Sequence, residues 1–237
     1  MLLLAFETSA KAGSVALMQS GRLLAESYQN SGLTHSQTIM PMAENMLKSC
    51  GFTAQDVTHV AVAAGPGSFT GIRIGVAAAK GFAWGSQIPC YGISTLEAMA
   101  RGFAEQDGLV VCTMDARRCQ VYNAIFEARQ GTLTRLCPDR AISLEELGAQ
   151  LENSDKPIFL VGDGSILCYH TLKDRVSNLI APAEHRMHQR AAGVALAAWE
   201  QIQQGVIGDG AALEPNYLRL SQAERERQEK LENQKSL

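Results

Sequence analysis

Three polar stretches carry the residue types that chemistry needs. Glu7-Thr8-Ser9 follows an aliphatic run. Gly65-Pro66-Gly67-Ser68-Phe69-Thr70-Gly71 joins an aliphatic run to a segment with helical spacing. Asp115-Ala116-Arg117 ends a further aliphatic run. The 65–71 stretch is the most telling. A strand, a tight glycine turn and a helix N-terminus capped by Ser68 or Thr70 offer backbone N–H groups at the positive end of a helix dipole, where a phosphate is stabilised. The plain alternative is a sharp connection that binds nothing. The Glu7 loop reads as a small polar hairpin loop that could face the same phosphate, or as a bare hairpin tip. Asp115 is a carboxylate at a strand end, with a local turn to Arg117 as its alternative role.

Other reactive residue types form no convincing set. His185 and His188 have HxxH spacing, but they follow Ala181-Pro182-Ala183 in a loop-like stretch, and no carboxylate ligand accompanies them. No GxSxG, Walker A or HExxH pattern occurs. The cysteines at 50, 90, 112, 119, 137 and 168 form no CxxC pair. They read as reduced thiols, several of them buried, and favour neither zinc nor disulfides. The net charge of −3 argues against a strongly basic RNA-binding module. The apolar start MLLLAF stops at Glu7 without a basic flank, so it reads as a strand and not a signal peptide. No stretch has the length to cross a bilayer, and the expected location is the cytoplasm.

The elements that must position these residues follow from periodicity. Strands are expected at 2–6, 14–19 and 22–28, joined by short turns as an antiparallel meander. A helix is expected over 33–50, capped by Thr34 or Ser36, with Pro41 forcing a kink or a start near 40. Its methionines Met40, Met42 and Met46 suit an adaptable surface, either core or partner-facing. A strand at 59–63, a helix at 69–85, a strand at 90–93 and a helix at 95–104 follow. Within the 69–85 helix, Gly71, Gly75 and Ala79 recur every four residues. Interior glycines weaken a helix, so this stripe predicts that another backbone packs very close.

The second half repeats that order. Strands are expected at 109–113, 120–127 and 132–136, then a helix at 144–151 with a Ser143/Glu146 capping box. A strand at 158–161 leads through Gly162-Asp163-Gly164-Ser165 into a helix at 166–173. The Asp115 loop thus matches the Glu7 loop, and the Gly162 turn matches the Gly65 turn. An Ala-rich helix covers 189–204, 213–219 is extended, and 223–235 is charged with no apolar stripe. The expected class is α/β, a duplicated fold of the actin, Hsp70 and sugar-kinase kind with two similar mixed-sheet subdomains. The division is 1–105, 106–220 (its last segment packing back on the first) and a charged tail at 221–237. In that superfold Asp115 occupies a place where a catalytic or metal-linked acid often stands. The fold carries no function by itself.

Five stretches, in order and spacing, resemble the TsaB (YeaZ) family. They are Phe6-Glu7-Thr8-Ser9, the block from Gly65 to Gly75 (GPGSFTGIRIG), Ile93-Ser94-Thr95-Leu96-Glu97-Ala98, Asp115-Ala116-Arg117 and Pro215-Asn216-Tyr217-Leu218-Arg219. The resemblance runs from residue 1 to about 220. It implies the small bacterial subunit of the machinery that makes N6-threonylcarbamoyladenosine at position 37 of tRNAs reading codons that begin with A. The larger, catalytic paralogue of that machinery carries two metal-binding histidines four apart. Thr95 and Met99 stand at the matching positions here, and neither suits a metal that needs imidazole.

The resemblance therefore implies a non-catalytic scaffold with no metal site. It would dimerise with the catalytic (TsaD-like) paralogue through the first domain, stabilise it and help bring in a TsaE-like ATPase. A homodimer is expected when the chain is alone, with tRNA involved only indirectly and no membrane. The expected interface is the Gly71, Arg73, Gly75, Ala79 helix beside Met40, Met42 and Met46, with Gly75→Leu blocking association without unfolding the chain. No cofactor is certain. A vestigial ATP or ADP site would comprise Glu7, Thr8, Ser9, Gly65, Gly67, Ser68 and Asp115. The alternatives are an enzyme of the same superfold, either an ATP-dependent phosphotransferase using Asp115 with help from Glu7 or a metallopeptidase, and a free-standing module that binds nucleotide or another protein.

Overall fold

A computed structural model describes residues 1–219; the charged stretch assigned to the tail lies outside the described residues. The chain opens with the expected meander, β1 (Leu2–Glu7), β2 (Gly13–Gln19) and β3 (Arg22–Gln29). Helix α1 (His35–Ser49) leads to β4 (His59–Gly65), α2 (Phe69–Ser86), β5 (Cys90–Ser94) and α3 (Thr95–Arg101). The second meander is β6 (Gly108–Asp115), β7 (Gln120–Arg129) and β8 (Thr132–Arg135), with β9 (Arg140–Ser143) returning to pair with β7. Then come α4 (Leu144–Leu151), β10 (Ile158–Val161), α5 (Ser165–Leu172), β11 (Leu179–Ile180), α6 (Glu184–Met187) and α7 (Ala191–Gln203).

The duplication is written in the strand order. One sheet runs β3-β2-β1-β4-β5, and the other runs β8-β7-β6-β10-β11. In each, the meander strands pair antiparallel and the strands after the crossover helices pair parallel. Strands β9 and β11 and helix α6 are short pieces that periodicity does not reveal, because two to four residues show no period.

The central strand β1 is apolar from Leu2 to Phe6 because both its faces are covered. Leu4 and Phe6 pack with Val15, Leu17, Ile39, Ile72 and Val76 under α1 and α2. Leu3 and Ala5 face the other way, onto Ala191, Val194, Ala195 and Ala198 of α7. Helix α3 lies between the sheets and sends Leu96, Met99 and Ala100 toward Val110, Cys112 and Phe126. Helices α3 and α7 approach each other closely: a Cβ at Gly193 would overlap the Ala98 carbonyl oxygen. The outer face of the second sheet is closed by α4 and α5, with Leu147, Leu151, Cys168 and Leu172 buried.

The expected Thr34 cap of α1 holds, the alternative start near residue 40 does not, and α7 begins two residues later than expected. Helix α1 begins at His35, capped by Thr34 without a side-chain hydrogen bond, and carries Pro41 inside it. Its start lies before residue 40 because Ile39 already belongs to the buried apolar face. The α7 helix starts at Ala191, after Arg190 in extended conformation. Among the described residues, no helix is long and apolar enough to cross a membrane. All six cysteines are free.

Candidate functional site

The ends of β1, β6, the 65–68 turn and the 162–164 turn converge on one cleft of about 710 Å³, whose lining includes Ser9, Lys11, Ser68, Asp115, Asp163 and Arg219. The glycine turn is held shut by the chain itself. The Gly65–Pro66 peptide is cis. Ser68 N–H donates to the Ser9 carbonyl at 2.6 Å, and Ser68 Oγ caps α2 by accepting from Gly71 N–H at 3.3 Å. A Cβ at Gly65 would overlap the Asn216 carbonyl oxygen, and one at Gly67 would sit 2.5 Å from that of Ser9. The glycines are therefore required by the approach of the chain's own backbone.

Thr8 Oγ1 donates to the Gly71 carbonyl at 2.8 Å. Glu7 is fully buried; its Oε1 accepts from Ser9 N–H at 2.6 Å, while its Oε2 has no hydrogen-bond partner among the described residues. Burial pushes the Glu7 carboxyl up to about 7, with the negative charge of Asp163 adding to the rise. Asp163 accepts from Gln189 Nε2 at 3.1 Å, and burial raises its pKa too. Asp115 is different. Its Oδ1 accepts from Arg117 N–H at 2.7 Å, and its Oδ2 lies 3.6 Å from the Arg117 guanidinium, so it forms the local turn. At the glycine turn, two positions that a phosphate would meet are taken up within the chain. The Ser68 N–H, which such a cradle would use, is bonded to Ser9, and Asn216 covers Gly65.

The rest of the cleft wall was less legible. Residues 211–219 form a strap from the far end of the chain. Lys80 Nζ donates to the Leu213 and Ala211 carbonyls at 2.9 and 3.3 Å, and Asn216 N–H donates to the Ala64 carbonyl at 2.7 Å. The Tyr217 ring stacks on Phe69 with centroids 4.5 Å apart, and an Arg219 Nη donates to the Ala116 carbonyl. Asp163, Phe69, Tyr217 and Arg219 thus join the site beyond the residues expected. The repeat of glycine turns was the available signal for Asp163, and the Pro215–Arg219 motif was the signal for the strap.

The expected interface residues divide. Met42 and Met46 are core, beside Ile39 and Leu47, while Met40 is 40% exposed. Gly71, Gly75 and Ala79 turn inward. A Cβ at Gly71 would overlap the Thr8 carbonyl oxygen and one at Gly75 the Thr8 Oγ1, and Ala79 is fully buried. The small-residue stripe answers a close approach within the chain, by the β1–β2 loop, and a bulky residue at Gly75 would disturb the fold itself. Arg73 is exposed. With it on the outer face of α2 stand Ala77, Gly81 and Trp84, the last 86% exposed.

His35 Nε2 lies 2.8 Å from the Ala10 carbonyl, and His188 stacks on Tyr28. Among the described residues, no group of three or more His, Cys, Asp or Glu side chains is arranged to hold a metal.

Two sheets of one strand order around a shared cleft define a protein of the actin-like fold. Component A of (R)-2-hydroxyglutaryl-CoA dehydratase from Acidaminococcus fermentans shares that fold alone, with a TM-score of 0.51, 12% identity and coverage of 86% of this chain and 99% of the other. Residues 28–227 match the family model "TsaD: tRNA N6-adenosine threonylcarbamoyltransferase". The tRNA threonylcarbamoyladenosine biosynthesis protein TsaB of Bacillus subtilis (strain 168) is 33% identical over 227 residues, covering 94% of this chain and 96% of that protein. YeaZ from Pseudomonas aeruginosa superposes with a TM-score of 0.75 at 26% identity, covering 92% of this chain and 99% of the other. The chain belongs to the TsaB (YeaZ) family.

Proposed function

We propose that this chain is a non-catalytic subunit in the synthesis of threonylcarbamoyladenosine in tRNA, and that it binds and stabilises a catalytic, TsaD-like paralogue. The observation that carries the reading is the outer face of α2. Trp84 is 86% exposed there, in line with Ala77 and Gly81, and Met40 of the adjoining α1 is 40% exposed. A large exposed aromatic beside small residues supports an interface, because tryptophan is enriched among the residues that carry protein–protein binding. An apolar groove of about 360 Å³ lies beside Trp84, bounded by Ala83, Ile88 and Ala211.

The non-catalytic part of the reading rests on the residues at the paralogue's histidine positions. Thr95 and Met99 are buried in the packing of α3 and offer no imidazole. Asp115, needed by the phosphotransferase alternative, is held in its own turn by Arg117. The TsaE-like ATPase joins the complex with the paralogue, tRNA is met through the paralogue, and the work is done in the cytoplasm. Reconstitution tests the reading. The chain alone should transfer no threonylcarbamoyl group and turn over no ATP, while its addition to the paralogue and the ATPase should stimulate transfer. ATP turnover by the chain alone that disappears in Asp115→Ala would overturn it.

A further inference from the structure

On that reading, α2 meets a protein, and the structure carries a further statement about what it meets. We propose that Arg73 is a preformed receptor for a carboxylate, an Asp or Glu side chain of the partner protein, at the cleft end of the α2 outer face. Three observations carry this. First, the guanidinium is fixed. Its carbon lies 4.0 Å from the Phe69 ring centroid, and its Nε donates to Tyr217 Oη at 3.0 Å. The two rings are themselves stacked, so the arginine plane is set by one residue of its own helix and one of the strap.

Second, the fork is open. Only Nε of Arg73 takes part in a hydrogen bond among the described residues, and neither Nη group meets an acceptor there. Arg101, Arg135, Arg175 and Arg190 each meet a carboxylate within the chain. Arg73 meets none among the described residues, and α2 contains no acidic residue to repel an incoming one. A guanidinium binds a carboxylate through two parallel N–H···O bonds, and it does so with less loss of freedom when its plane is already held.

Third, the surroundings suit a protein side chain. Along the same face stand Ala77, Gly81 and Trp84, which would border the ion pair with apolar contacts. The cation nearest along the helix, Lys80, already donates to the strap carbonyls. An oriented fork beside small apolar residues suits a single carboxylate, whereas the repeated phosphates of an RNA backbone draw several cations. Tyr217 acts as a positioning residue, so recognition would depend on the strap being docked.

The test is titration calorimetry of the full-length chain against the purified paralogue at low and high salt, with tRNA binding measured in parallel. Arg73→Ala should weaken paralogue binding by roughly tenfold or more at low salt, and the deficit should shrink at high salt. Arg73→Lys should recover little, because a point charge lacks the fork. Tyr217→Phe, which leaves the charge and the ring stack, should lose about threefold through the freed guanidinium. Unchanged thermal unfolding of each variant shows that the fold is intact. A wild type that binds the paralogue while Arg73→Ala binds equally well, or while Arg73→Lys restores full affinity, overturns this inference and leaves the scaffold reading standing. Loss of tRNA binding with paralogue binding unchanged assigns the fork to a phosphate and overturns it as well. A wild type that binds no paralogue overturns the scaffold reading and this inference together.

Discussion

Glu7, expected in a loop that could face a phosphate, is governed in the fold by its burial. Its carboxyl sits at the end of the central strand, fully buried, with one oxygen bonded to Ser9 N–H and the other without a partner among the described residues. Its pKa stands at about 7 in the fold, raised from 4.5 first by burial. Between those two values, the folded chain holds a proton that the unfolded chain has already released. This contribution is fully present below pH 4.5 and is lost as pH rises through 7. It amounts to about 3 kcal/mol, from the linkage between pKa and stability. Asp163 is shifted the same way by burial and adds to the same trend. Glu7→Gln keeps the shape without the titration, so its melting temperature should fall less than that of the wild type between pH 5 and pH 8. Parallel curves for the two proteins would contradict the assignment. Gly71 makes a second residue-scale prediction. Gly71→Ala should destabilise the chain by on the order of 3 kcal/mol, read by denaturant unfolding, because the Thr8 carbonyl occupies the space of the new methyl group.

Among the elements, α2 was the most legible and the most easily misjudged. Its start at the Ser68 cap and its glycine periodicity were plain in the sequence, and so was the implication of a close backbone approach. Periodicity alone does not say which backbone approaches. The stripe at Gly71, Gly75 and Ala79 faces Thr8 and β4, so the stripe left exposed, and proposed to meet the partner, is the opposite one, at Arg73, Ala77, Gly81 and Trp84. In α1 the same ambiguity separated Met40, which is exposed, from Met42 and Met46, which are core. Pro41 stays inside α1 at the loss of one helical bond to the Gln37 carbonyl, since proline has no N–H. Pro41→Ala should restore that bond and stabilise the chain by about 1–3 kcal/mol, measured as a rise in the unfolding midpoint. The strap at 211–219 was visible only as an extended motif. Its contacts with Lys80, Phe69 and Ala64 join residues more than a hundred positions apart, which no local pattern encodes.

At the scale of the molecule, the duplicated order of elements was readable because each half repeats strand, polar loop, strand, strand, helix, strand and glycine turn. The two sheets have the corresponding strand orders. What the repeat could not give was the use of the cleft, since both glycine turns are packed by the chain's own backbone: Gly65 by Asn216 and Gly162 by Thr113. The proposed role consequently rests on an outer surface. A Cβ at Gly81 would meet nothing within 4 Å among the described residues, and the position lies on that surface, so Gly81→Arg should leave unfolding little changed while it blocks association. Gly75→Leu should instead lower stability, because its space is taken by Thr8 and Val62.

Sedimentation velocity on the chain alone, with the TsaD-like paralogue, and with Gly81→Arg in place of the wild type decides whether the outer face of α2 is the proposed interface. The wild type should self-associate and exchange into a heterodimer with the paralogue, and Gly81→Arg should stay monomeric in both settings. A wild type indifferent to the paralogue, or a Gly81→Arg variant that pairs with it as well as the wild type does, would contradict that assignment.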